Sequence, residues 1–135
     1  MSKAHYDALE ALVPFGLSVF RGSAPIKPTA NDYPYVVIGG NGGTETSEAA
    51  AGDPDSLDLM FQITYAGLTF DSVLIAMMRF RAAVLSRRLV VAGWTCGIFR
   101  HEPAVDIRED PDVTIPDTTA HPFYAVDQIS LFSTH

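Results

Sequence analysis

The sequence predicts an α+β fold: a curved, mainly antiparallel sheet of four to five strands packed against a long helix and a short N-terminal helix. Two patterns carry this prediction. Residues 57–65 alternate apolar and polar side chains as a half-buried strand does, and residues 71–88 repeat apolar side chains at helical spacing. Two stretches rich in acidic residues, 44–56 and 101–121, are predicted to be long loops. Helices gathered on one face of such a sheet make an α+β sandwich.

The N-terminal part of the chain supplies the short helix and two strands. Residues 4–13 place their apolar side chains on one helical face, and Pro14 ends the helix. Short strands are expected at residues 17–20 and 36–38, the second of them a β-branched run typical of a buried strand.

The long helix is predicted to run from Asp71 to about Arg88 and has no fully polar side. A helix this apolar in a short chain is expected to lie on a sheet and also against a copy of the chain or a partner protein. Its two apolar stripes are Val73, Met77, Phe80, Val84 and Leu74, Met78, Leu85, and its charges are nearly all on Arg79, Arg81, Arg87 and Arg88.

The C-terminal part is expected to add one interrupted strand and one regular strand. Residues 89–99 form the first, with a bend at Gly93, and residues 123–132 form the second. Alternation in the second places one set of side chains on a common face. That set is Phe123, Ala125, Asp127, Ile129 and Leu131.

The composition of the chain limits the classes of function that it can have. At 135 residues the chain is expected to be one domain, residues 1–135, and its net charge of −7 argues against a surface that grips nucleic acid. That charge does not exclude a surface that repels DNA, which a channel for passing DNA would need. The single Cys96 excludes an internal disulfide and a multi-cysteine metal site. With no signal-peptide pattern and no membrane-length apolar run, the chain is expected to be soluble, made in a cytoplasm and free of membrane contact.

No residue pattern indicates an active site, a metal or a cofactor. The glycine-rich segment 39–44 lacks the lysine and the following helix of a phosphate-binding loop, so it is interpreted as a strand-to-loop hinge. The acidic residues lack the order of a calcium loop. Cys96 and His101 could form a nucleophile–base pair, but five residues of extended chain would point them to opposite faces. We therefore expect no catalytic, cofactor or metal residues, and no enzyme.

Soft core and turn patterns spread over nearly the whole chain resemble one family, the tail terminator proteins of long-tailed (siphovirus-type) bacteriophages, especially those of actinobacteria. The patterns are Tyr6-Asp-Ala-Leu-Glu-Ala-Leu-Val-Pro14, Tyr33-Pro-Tyr-Val-Val-Ile38, Phe61-Gln-Ile-Thr64, Arg79-Phe-Arg-Ala-Ala-Val-Leu85, Ala92-Gly-Trp-Thr-Cys-Gly97, Arg100-His-Glu102 and Phe123-Tyr-Ala-Val-Asp127.

The resemblance implies a structural virion protein of the tail neck, assembled in the host cytoplasm. It implies a homo-oligomeric ring, a hexamer, that caps the head-proximal end of the tail tube, stops its polymerisation and presents a surface to the head-completion or connector protein. Genomic DNA would pass through the lumen without specific binding. The partners are thus further copies of the chain, the tail tube protein and the connector protein.

Charged residues are the predicted contacts of this assembly. The acidic loops are expected to meet basic surfaces of neighbours, with two helix arginines as counterparts. The candidates are Glu45, Glu48, Asp53, Asp55, Arg79, Arg81, Glu109, Asp110 and Asp112.

Two alternatives stay open. Another neck or tube-like protein would share the small α+β fold and the long loops, and binding to tail tube rather than to portal or adaptor would separate them. A small enzyme or ligand-binding domain would use Trp94, Cys96 and His101. In that case Cys96→Ala or His101→Ala would abolish an activity and leave assembly intact.

Overall fold

The computed structural model describes residues 2–14, 17–22, 33–46, 56–115 and 119–135. Within these ranges the chain forms two helices and eight strands in one sheet. In chain order they are α1 (Ser2–Leu12), β1 (Ser18–Arg21), β2 (Tyr35–Gly40), β3 (Thr44–Thr46), β4 (Ser56–Gly67), α2 (Phe70–Val84), β5 (Val90–Val91), β6 (Trp94–Cys96), β7 (Arg100–Glu109) and β8 (Phe123–Thr134).

The sheet is mixed and has the order β1-β2-β4-β8-β6-β5. Only β1 and β2 run parallel, and the other pairs are antiparallel. Strand β3 pairs with β4 beyond the end of β2, and β7 pairs with β8 beyond the end of β6. The α+β class is therefore confirmed, but the prediction of four to five strands is wrong. The strand count is higher because breaks in the chain divide two rows of the sheet. The break after Gly40 separates β2 from β3, and the break after Cys96 separates β6 from β7.

Strands β4 and β8 form the centre of the sheet and are paired along their whole lengths, from Ser56↔Thr134 to Gly67↔Phe123. One face of each is buried under the helices, and near the Gly67–Phe123 end Ala66 and Val126 of the opposite face are buried as well. The predicted face of β8 is confirmed: Ala125, Asp127, Ile129 and Leu131 are buried, and Phe123 is half-buried. The buried face of β4 consists of Leu57, Leu59, Phe61, Ile63 and Tyr65.

Helix α2 is shorter than predicted. It begins after a reciprocal cap, in which the Thr69 Oγ1 accepts from the Ser72 N–H at 3.1 Å and the Ser72 Oγ accepts from the Thr69 N–H at 3.2 Å. It ends at Val84 after 15 residues, about 22 Å, so the prediction of a long helix reaching Arg88 is wrong. Of the two predicted apolar stripes, the first is buried, namely Val73, Met77, Phe80 and Val84, together with Ala76.

The first part of the second predicted loop is a strand. Residues Arg100–Glu109 form β7, which pairs with β8 through two irregularities in register and leaves most of its side chains exposed. Pro103 and alternating charges gave this stretch the composition of a loop, because an edge strand whose side chains are mostly exposed needs no apolar alternation. Of the first predicted loop, Thr44–Thr46 forms β3, and residues 47–55 lie outside the described ranges.

The stretch 89–99 is a hairpin rather than one bent strand. Strands β5 and β6 pair antiparallel, and Gly93 takes a positive φ of 81° in the two-residue turn between them. In the described ranges, neither helix has the length and apolarity needed to cross a membrane.

Candidate functional site

The predicted acidic contacts lie in the two stretches that the sequence predicts to be loops. Glu109 ends β7, and Asp110 and Asp112 follow it in a turn in which the Asp110 Oδ1 accepts from the Asp112 N–H at 3.1 Å. Glu45 lies in β3, although its side chain is outside the described part. The remaining predicted contacts, Glu48, Asp53 and Asp55, lie outside the described residues. No assembly role of these residues is tested by their placement, and it stays a prediction.

The two helix arginines have different surroundings. Arg79 is exposed on the outer face of α2. Arg81 turns inward and makes a two-point contact with Asp127: its Nε donates to Oδ2 at 2.9 Å and its Nη2 donates to Oδ1 at 2.8 Å. Arg81 therefore has a partner within the chain, and its side chain keeps 32% exposure beside that contact.

Asp127 is the centre of a buried polar cluster that joins four elements. It is 1% exposed and lies on the core face of β8. Besides Arg81 of α2, the Tyr65 hydroxyl of β4 donates to Oδ2 at 2.8 Å, and His101 Nε2 of β7 lies 3.0 Å from Oδ1. Each carboxylate oxygen thus has two partners, which uses its full accepting capacity.

The electrostatics of this cluster favour the ionised carboxylate. Burial by itself would raise the pKa of Asp127, but hydrogen bonds from Arg81, His101 and Tyr65 together hold that pKa below its usual value. Burial and the Asp127 charge raise the pKa of the Tyr65 phenol. Tyr65 and Asp127 are therefore a neutral donor and a charged acceptor, a combination that suits a structural clamp rather than proton transfer near neutral pH.

The proposed nucleophile and base, Cys96 and His101, do not form a pair. Cys96 lies opposite Ser133, and its Sγ is 3.5 Å from the Ser133 Oγ, whereas His101 lies opposite Ile129 and contacts Asp127. The break between β6 and β7 changes the predicted parity, because both residues lie opposite core-face positions of β8. They are nevertheless four β8 residues apart, about 13 Å along the strand, which excludes a hydrogen bond between them.

A second buried polar contact was not predicted. The fully buried His5 of α1 has its Nε2 3.0 Å from the Ser133 Oγ, and Trp94 packs edge-on against the His5 ring with centroids 5.2 Å apart. A serine next to a histidine can act as a nucleophile, but this serine is 0% exposed and so is shielded from a substrate. Because 128 residues separate the two side chains, no local pattern could reveal the pair.

The glycine-rich segment is a tight structural turn. The Asn41 Oδ1 accepts from the Gly43 N–H at 3.1 Å and from the Met60 N–H at 3.2 Å, which fastens the turn to β4. Gly40 and Gly43 have positive φ, and a side chain on Gly40 would collide with the Met60 carbonyl oxygen. The segment leads into β3 and not into a helix, so it lacks the helix N-terminus that a phosphate loop needs.

Large apolar side chains are exposed in two places on opposite layers of the molecule. The first, which we call the helix face, consists of Ile75 and Met78 of α2, which are 57% and 59% exposed. Phe70, which is 48% exposed, begins the same helix about 140° around its axis from Ile75. The second consists of Val90, Ile98 and Phe132, which are 90%, 65% and 50% exposed at the hairpin end of the sheet. Isolated exposed apolar residues are ordinary, but clustered ones indicate a contact surface.

The helix face arises from the all-round apolarity seen in the sequence. One stripe of α2 is taken up by the sheet, and the adjoining positions have nothing in the described structure to cover them. The expectation that α2 contacts the sheet is therefore confirmed, while its contact with a further chain remains a prediction. Among the described residues no group of three histidine, cysteine, aspartate or glutamate side chains could hold a metal ion.

Comparison with known proteins finds similarity to solved structures but none in sequence. No protein-family model matches the chain, and no curated protein is similar to it in sequence. Among solved structures, a chain of the "Virion of native gene transfer agent (GTA) particle" is 15% identical to this chain and has a TM-score of 0.47, covering 98% of this chain and 94% of its own. A match at this level says nothing about function, which rests on the residues of the chain itself.

Proposed function

We propose that the chain is a structural virion protein, a tail terminator that forms a ring on the head-proximal end of the phage tail tube. The ring ends tube polymerisation and provides the surface to which the head connector joins. The observation that carries this proposal is the helix face, where Ile75 and Met78 are both more than half exposed. The sequence resemblance to tail terminator proteins gives that face its occupants: copies of the chain and the tail tube protein.

An uncovered apolar helix face favours an assembly component over a freely diffusing one. Fully burying one such side chain contributes about 1.5–3 kcal/mol, so covering Ile75 and Met78 would supply a substantial part of a contact energy. A specific interface needs about 800 Å² from each partner. The helix face is a suitable centre for such an interface, with polar residues around it.

The enzyme alternative has less support. Cys96 and His101 have different partners, and Asp127 has no accepting capacity left for a substrate. The Ser133–His5 pair is enclosed. We therefore infer that the polar clusters of the chain hold its helices in place, and that its surface performs its function.

Genomic DNA would pass through the proposed ring. The net charge of −7 disfavours phosphate binding, so DNA would slide through the ring and not adhere to it. Another neck protein remains the closest alternative, and it would bind portal or adaptor protein where a terminator binds tube.

The decisive experiment measures mass by light scattering and tube length by electron microscopy. The purified chain, 14.6 kDa as a monomer, is measured alone and after mixing with the tail tube protein of the same virus. A terminator is expected as a hexamer of about six times that mass, or as a monomer that assembles on tube ends, and it shortens the tubes in proportion to its concentration. A stable monomer that leaves tube length unchanged would contradict the proposal.

A matched pair of variants localises the effect. Ile75→Asp with Met78→Asp places two charges on the helix face and is expected to abolish ring formation and tube capping while leaving the fold intact. Gln62→Asp with Ser130→Asp places the same charges on the opposite layer, where the two positions are not directly opposite each other and Ser130 lies opposite Arg100. The second variant is expected to assemble as the unchanged chain does.

A further inference from the structure

A cleft between α2 and β7 has apolar walls, and the chain segment that begins in its β7 wall and continues past it is acidic. Its volume is about 280 Å³, and it is lined by Phe70, Met77, Arg81, Pro103, Val105, Asp106, Ile107 and Asp127. Arg81 and Asp127 bond to each other at its base. From Asp106 to Asp112 the chain carries four carboxylates and one cation, Arg108. The cleft is therefore suited to an apolar side chain flanked by positive charge.

The β5–β6 hairpin presents such a group. Val90 has the most exposed large apolar side chain of the described residues, at 90%. Arg87 and Arg88 precede it, both exposed and without an ion-pair partner in the part of the chain that is described. No carboxylate side chain occurs between Leu85 and Phe99, so the hairpin carries an uncompensated charge of +2.

The hairpin cannot reach the cleft of its own chain. Val90 lies in the row of the sheet that contains Thr95 and Thr134, whereas Val105 of the cleft lies opposite Val126. Eight residues of β8 separate these two rows, about 26 Å. Any contact between hairpin and cleft must therefore join two molecules.

We propose that the Arg87–Arg88–Val90 hairpin of one copy docks into the α2–β7 cleft of the next. Val90 enters between the apolar walls, and the two arginines face the carboxylates of residues 106–112. Because hairpin and cleft are different surfaces, the contact is head-to-tail, which is the type that generates rings. The proposal rests on the proposed function and goes further by naming both sides of the contact between copies.

Disulfide trapping tests the contact directly. A disulfide requires Cα atoms about 4–7 Å apart, so Val90→Cys with Val105→Cys cannot close within one chain. Under mild oxidation at high protein concentration, the double variant is expected to form a ladder of covalent multimers on a denaturing gel. Each single variant is the control and is expected to give no ladder. Absence of the ladder from the double variant would overturn the proposal.

Charge reversal gives a second, independent measurement. Arg87→Glu with Arg88→Glu, or Asp106→Lys with Glu109→Lys, is expected to weaken self-association at least tenfold in sedimentation equilibrium. The chain carrying all four changes is expected to recover association, because the signs again oppose. Lys3→Glu on α1 is the control of unchanged association. Failure of the fourfold variant to recover would contradict the pairing.

These results separate this proposal from the proposed function. Tube capping with neither cross-linking nor sensitivity to charge reversal would overturn the hairpin–cleft contact and leave the terminator function standing. A cross-linked ladder from a chain that never affects tube length would support the contact and contradict the terminator.

Discussion

At the scale of single residues, Asp127 shows what alternation in a sequence can and cannot predict. Alternation correctly predicted that it shares a face with Ala125, Ile129 and Leu131, and in the structure that face is the core face of β8. A buried carboxylate demands a cation and hydrogen-bond donors, and Arg81 was the available arginine on the packing helix. The pairing itself spans 46 residues and depends on how α2 lies over the sheet, which no local pattern contains.

Removing the charge of Asp127 should be among the most damaging polar changes. Asp127→Asn leaves the Arg81 guanidinium half-buried without its counter-charge, and breaking a buried pair on one side costs about 3–5 kcal/mol. We expect a loss of this order in the free energy of unfolding measured by urea. Asp58→Asn, which alters the exposed contact with Arg100, is the matched control and should change it by less than about 1 kcal/mol.

The same carboxylate makes stability depend on pH in a defined direction. Its pKa is lower in the folded chain than in the unfolded one, so its contribution is present above the unfolded carboxyl pKa, about 4, and is lost as pH falls below that value. The stability difference between the unchanged chain and Asp127→Asn should therefore shrink on acidification. Equilibrium unfolding at a series of pH values measures it, and a constant difference down to the acid limit would count against the clamp.

At the scale of elements, the buried helix and strand were predicted more accurately than the exposed strand. Strand β4 is half-buried and α2 has a buried stripe, so both show strong periodicity in the sequence. The bounds of β4 and the start of α2 were predicted closely. Strand β7 was missed because most of its side chains are exposed, only Val105 and Ile107 are half-buried, and it contains Pro103. The helix end was misplaced because Leu85 and Arg88 fit the helical pattern, although the last helical residue is Val84.

Two residues of α2 should respond in opposite ways. Phe80 is fully buried against Tyr65, with ring centroids 5.6 Å apart, so Phe80→Ala should cost about 3–5 kcal/mol of folding stability. Ile75→Ala on the helix face should change stability by less than about 0.5 kcal/mol and instead weaken association. Thermal unfolding and light scattering on both variants separate the two effects, and a large stability loss in Ile75→Ala would show that this face is not free.

At the scale of the whole molecule, the sequence led to the hypothesis of an assembly component but did not reveal which surfaces the fold leaves exposed. The excess apolarity of α2 was visible in the chain, whereas the second exposed cluster joins Val90, Ile98 and Phe132 only through the sheet pairing. The apolar helix could therefore be predicted from the sequence. The presence of two exposed apolar surfaces on opposite layers of the molecule could not.

Self-association through oppositely charged surfaces should depend on salt. Raising ionic strength from about 0.05 M to about 1 M shortens the screening length several-fold and should weaken the arginine–carboxylate part of the contact. The apolar part, centred on Val90, should persist. Sedimentation at both salt concentrations measures the change, and association that strengthens at high salt would point to an apolar contact with no charge pairing.

The full-length pairing of β4 with β8 also governs how the chain folds. The two strands are the centre of the sheet, yet α2 and three strands lie between them in the sequence. During synthesis, at roughly 5–20 residues per second, β4 waits several seconds for its partner with one edge unpaired. A sheet dominated by such distant pairings folds slowly, and its open edge is prone to aggregation. Expression at low temperature or with chaperones should therefore raise the soluble yield of the chain.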